Sequence, residues 1–148
     1  MAFLKYCYVD VINDLSAEDI FKIYKKGVDE IRSLKPEVKI IHFTMPLMVE
    51  KAGIKEWFIN LFGVSDSVKF NIQRNEYNDL LKKNYAEEDI FDIAALESLR
   101  PDGTWQSFQY KGKPYLSMYS GYSDDGGHLN KMAKKYIAEK LLIFLALF

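Results

Sequence analysis

With 148 residues, 49% of them apolar, the chain has the material for one domain with a packed core. Its 20 Lys and Arg stand against 21 Asp and Glu, a net charge of −1 that gives no basic footprint for nucleic acid and names no charged partner. The single cysteine, Cys7, excludes an internal disulfide framework and a cysteine-rich zinc site, and its apolar neighbours predict a buried, inert thiol.

Residues 3–12 are aromatic and β-branched, which predicts a buried strand. Ser16 then opens a helix with Asp19 at the capping-box position, and Ile20, Ile23, Tyr24, Val28, Ile31 and Leu34 fall on one helical face. Pro36 stops that helix, and residues 38–45 form a second strand closed by Pro46. The strand–helix–strand unit predicts an α/β fold with helices covering a mostly parallel sheet. Residues 49–62 read as a short helix with Trp57, Phe58 and Leu61 inward, and residues 68–85 as a longer one carrying Ile72, Tyr77, Leu80 and Leu81. A third strand is expected at 90–94, a turn at Arg100-Pro-Asp-Gly103, and a hairpin over 105–116 around Lys111-Gly112. The last helix, 129–145, aligns Met132, Tyr136, Ile137, Leu141 and Phe144. The apolar run 141–148 is too short to span a bilayer, so no membrane span is expected.

The run Tyr122-Ser-Asp-Asp-Gly-Gly-His128-Leu-Asn130 places a carboxylate three residues ahead of a histidine at the mouth of that helix. A carboxylate beside an imidazole fixes its tautomer and stabilises the imidazolium, which is what a general base for a hydroxyl nucleophile requires. Asp125 and His128 are therefore candidates for a catalytic pair; a helix-capping turn is the alternative reading of the same residues. His42, mid-strand between Ile41 and Phe43, reads as a core or edge histidine. Asp10 and Asp14 flank the end of the first strand, where α/β folds place ligands, and Asp92 rivals Asp125 as a partner for His128. No spacing of His, Cys and carboxylates suits zinc, no glycine-rich loop follows a strand, and no basic-aromatic pattern suits nucleic acid. No cofactor is expected.

Val11-Ile-Asn13-Asp14, the strand Lys39-Ile-Ile-His-Phe-Thr-Met-Pro46, Asn71-Ile-Gln-Arg-Asn-Glu-Tyr-Asn78, Phe91-Asp-Ile-Ala and Asp125-Gly-Gly-His128 together resemble the C-terminal two-thirds of an SGNH/GDSL-type serine hydrolase. The resemblance implies a three-layer αβα sandwich of flavodoxin-like order and hydrolysis of small-molecule acyl esters, with acetylated carbohydrate a candidate substrate. It assigns His128 as base, Asp125 as its orienting carboxylate and Asn13 as an oxyanion or substrate-binding donor. Val11 stands where the family has glycine. The family's Gly-Asp-Ser block, with the nucleophile, and the block carrying an oxyanion-hole glycine have no counterpart here. Ser65, Ser67, Ser120 and Ser123 lack the strand–turn–helix setting of a nucleophile. The resemblance thus implies a fold without its first strands, whose strand at 3–12 shows an open edge suited to self-association. The competing expectation is a non-catalytic binding or scaffold protein, with Asp125 and His128 bracing a loop.

Overall fold

The computed structural model describes residues 1–7, 15–50 and 66–147. Three strands, β1 (Ala2–Leu4), β2 (Ile40–Phe43) and β3 (Ile90–Phe91), pair in parallel in the order β1-β2-β3, with Leu4 level with His42 and His42 with Ile90. Side chains of β2 alternate between two apolar clusters. Ile40 joins the cluster built with α1 (Ala17–Leu34) and α2 (Asp66–Asn84), while Ile41 and Phe43 join the one built with α4 (Lys131–Ala146). Helices therefore cover both faces of the sheet, as burial of parallel strands demands. The short α3 (Ile93–Ser98) follows β3, and β4 (Ser107–Tyr110) with β5 (Lys113–Leu116) forms an antiparallel hairpin against α2. The architecture is α/β.

The local signals explain most boundaries. Ser16 accepts the Asp19 N–H at 3.1 Å, capping α1 where the sequence places its start, and Lys35 ends it by donating its N–H to the Ile31 carbonyl. Lys111 and Gly112, at φ 49° and 77°, make the turn that matches the strand twist of the β4–β5 hairpin.

Several expectations are corrected. The first strand among the described residues covers Ala2–Leu4, and residues 8–12 of the expected run lie outside them. β3 stops at Phe91 because Asp92 accepts the Ala95 N–H at 3.0 Å and caps a helix, so a local cap overrides the strand propensity of Ile93. Ile23 and Leu34 are exposed at 57% and 77%, while Ala17 and Phe21 are buried in their place. The buried stripe of α1 is thus rotated toward α2. On α4, Met132 is exposed and Ala133 takes the core position. Cys7 is exposed, since the strand that would have buried it ends at Leu4. The helix expected over 49–62, with Trp57, Phe58 and Leu61, falls largely outside the described residues. His42 is fully buried, as expected of a core histidine.

Candidate functional site

The site is positioned from the carboxyl end of β2, where the chain continues as an exit segment, residues 44–49. Side chains hold much of it. Asn78 accepts the Met45 N–H at 2.6 Å and donates to the Met45 carbonyl at 3.0 Å. Glu97 accepts the Leu47 N–H at 2.7 Å. Asn71 accepts the Met48 N–H at 2.9 Å and donates to the Met48 carbonyl at 2.9 Å. Asn75 makes the same two-way pairing with Leu116, at 3.0 and 2.9 Å. Positions 71, 75 and 78 share one face of α2, so its amides pair with backbone N–H and C=O groups of Met45, Met48 and Leu116. At the end of the segment, Val49 donates its N–H to the Gly126 carbonyl at 2.9 Å.

That contact joins the exit segment to the turn carrying Asp125 and His128. Asp125 Oδ1 accepts the Gly127 and His128 N–H groups at 2.9 and 2.7 Å, and Asp125 Oδ2 lies 2.6 Å from His128 Nδ1. Gly126 adopts φ +89°, a conformation a side chain would strain. Its N–H is accepted by Ser123 Oγ at 2.9 Å, and that hydroxyl donates to the His128 carbonyl at 2.7 Å. Asn130 caps α4 by accepting the Ala133 N–H at 3.0 Å. The turn is thus bonded from both sides, yet the Asp125 and His128 side chains are 57% and 65% exposed. The His128 and Gly127 N–H groups, with the His128 ring, hold the Asp125 carboxyl well below the usual carboxylate range. An ionised Asp125 accepts Nδ1–H and so leaves Nε2 as the basic nitrogen of His128. This is the geometry of an oriented general base.

The structure brings together Asp125 and His128 but not Asp92. Asp92 binds Lys82 at 2.5 Å and accepts the Thr44 hydroxyl at 3.0 Å. Asn13, Asp10, Asp14 and Ser65 lie outside the described residues. Ser67 donates to Glu50 at 3.4 Å, and the Ser123 hydroxyl is committed to the turn. Among the described residues no group of three or more His, Cys, Asp or Glu could hold a metal ion, and no helix is long and apolar enough to cross a membrane.

Sequence reading misses the buried polar layer behind the turn. Asn71, Arg74, Asn78, Glu97, Ser98 and Ser117 are all buried. Burial pushes the Glu97 carboxyl up to about 8, and the Leu47 N–H, Lys5 and Arg74 pull it only part of the way back. A usable signal was present. Asn71, Asn75 and Asn78 recur at helical spacing in a helix whose apolar residues form no clean stripe.

Comparison of the chain with protein-family models, with curated proteins and with solved structures gives no match.

Proposed function

We propose that the chain carries the acid–base half of a serine ester hydrolase of the SGNH/GDSL type, with Asp125 and His128 acting on a serine outside these 148 residues. The observation that carries the reading is the 2.6 Å Nδ1–Oδ2 contact in a turn bonded to the exit of a parallel strand. Doubly wound sheets place their ligand sites at such strand exits. In this mechanism His128 Nε2 takes the serine proton as Oγ attacks the ester carbonyl, then returns it to the leaving alcohol. Water, deprotonated by the same nitrogen, releases the acid from the acyl-serine. Asn13 is proposed as an oxyanion donor. Substrates are small-molecule acyl esters, acetylated carbohydrate among them.

Two features of the fold support the family reading. Strands adjacent in the sheet in chain order suit the later strands of a flavodoxin-like sheet, and helices on both faces suit the three-layer sandwich. The same reading gives β1, which has one strand neighbour among the described residues and shows Phe3 at 52% exposure, as an edge through which copies associate.

Complementation tests the proposal: a strand–Gly-Asp-Ser–helix segment from an SGNH esterase is fused ahead of residue 1 and p-nitrophenyl acetate hydrolysis is measured. His128→Ala is expected to lower the restored kcat by roughly 10³-fold or more, and Asp125→Ala by less. Restored activity that is indifferent to His128→Ala would overturn the site assignment and favour the binding-protein reading, in which the pair only braces its loop.

A further inference from the structure

We propose that Asn71 is the positioning residue for the Asp125–His128 pair, acting through Met48 and Val49. The inference rests on reading that pair as the functional one and adds the residue that sets its geometry. Asn71 is fully buried on α2 and shares no loop with the turn. Its amide engages both polar groups of Met48, at 2.9 Å each, while Arg74 Nη1 donates to the same Oδ1 at 3.4 Å and so fixes which end of the amide faces which group. The Met48 carbonyl also accepts the Met118 N–H at 3.0 Å. The next residue in the chain, Val49, donates to Gly126, the residue at φ +89° immediately after Asp125.

The route from Asn71 to the turn is therefore one peptide and two sets of hydrogen bonds. The Gly126 peptide is held in its left-handed conformation from two sides, by Val49 N–H on its carbonyl and by Ser123 Oγ on its N–H. If Met48 moves, Val49 N–H withdraws, Gly126 is released on its carbonyl side, and the Gly127 and His128 N–H groups lose their alignment on Asp125 Oδ1. Glu97, on Leu47, fixes the same segment one residue earlier, whereas Asn71 engages both the N–H and the carbonyl of Met48, the carbonyl lying in the peptide that carries the Val49 N–H.

The experiment is NMR on the full chain, reading the ring nitrogens of His128 and the carboxyl carbon of Asp125. In the unsubstituted protein His128 is expected as the single Nδ1–H tautomer. In Asn71→Ala it becomes a mixture of tautomers, the Asp125 titration moves up toward the ordinary carboxylate range, and the Val49 and His128 amides exchange roughly tenfold faster or more. Asn71→Asp keeps the acceptor for Met48 N–H and restores part of the native signature. Leu81→Ala, a cavity in the same helix that touches neither Met48 nor the turn, is expected to lower stability and leave the His128 signals native. Native His128 and Asp125 signals in a folded Asn71→Ala protein overturn the proposal, as does an equal change in Leu81→Ala. If Asn71→Ala does not fold, amide exchange on the unsubstituted chain decides: a shared opening of Met48, Val49, Gly127 and His128 supports the coupling, and independent opening of the turn refutes it. None of these readouts needs a nucleophile. An inactive complemented enzyme with an intact pair would remove the hydrolase reading and leave this inference standing.

Discussion

Glu97 and His42 are two fully enclosed titratable side chains whose burial acts in opposite directions on stability. Burial, helped by Arg32, pushes the His42 imidazole down to about 4 from its ordinary 6.5, while Tyr24 Oη lies 2.7 Å from its Nδ1 and Tyr85 stacks on the ring at 3.8 Å. A neutral His42 is therefore favoured in the fold, and protonation of the unfolded chain removes stability as pH falls from 6.5 toward 4. Glu97 is favoured protonated, so ionisation of the unfolded chain removes stability as pH rises from 4.5 toward 8. Glu97→Gln keeps an acceptor for Leu47 N–H without the titration. It is expected to flatten the decline between pH 6.5 and 8, about 2 kcal/mol on a scale of 1.4 kcal/mol per pH unit, in urea melts taken across that range. An unchanged slope would show that Glu97 is ionised within the fold. Asp125 and His128 were legible in the sequence because they are three residues apart and joined by local turn chemistry. Glu97 was not, because its partner Leu47 is 50 residues away and only the fold brings them together.

At the level of elements, α2 departs from an ordinary amphipathic helix: its buried residues include Asn71, Arg74 and Asn78 beside Val68, Tyr77 and Leu81. Asn78→Ala leaves the Met45 N–H and carbonyl buried without their partner, and a loss of roughly 2–4 kcal/mol is expected from chemical denaturation. Asn84→Ala, whose amide caps a carbonyl at the exposed end of the same helix, is expected to change stability by no more than roughly 0.5 kcal/mol. Similar effects from the two would remove the role given to the clamp. The helix start at Ser16, the last helix to within two residues of its start, the stop near Pro36 and the hairpin at Lys111-Gly112 were readable because each rests on side chains within a few residues. Periodicity failed where polar groups took core positions. It also failed at Asp92, where a cap outcompeted a strand, and along α1, where Ile23 has the right spacing but faces away from α2.

For the whole molecule the two buried groups combine. Between pH 4.5 and 6.5 the His42 and Glu97 contributions nearly cancel, so maximum stability is expected on that plateau, with decline on both sides. Thermal or urea unfolding from pH 4 to 8 checks it; a maximum near pH 8 would contradict the assignment of Glu97, and one at or below pH 4.5 that of His42. β1, which has one strand neighbour among the described residues, adds a concentration-dependent property. Self-association is expected in light scattering, with slower amide exchange at Phe3 as concentration rises, and a Phe3→Lys substitution is expected to weaken it. A monomer at all concentrations would remove that interface. The asparagine clamp has a kinetic consequence as well. Its contacts span 23, 33 and 41 residues, whereas the hairpin and helix caps close over a few. Long loops close late, so α2 and the hairpin can form before the exit segment is gripped, and Asn78→Ala should speed unfolding far more than it slows folding. The last part of the chain to acquire its native shape would then be the segment that sets the Asp125–His128 pair, and a nascent molecule would hold its secondary structure for some time before it held its site.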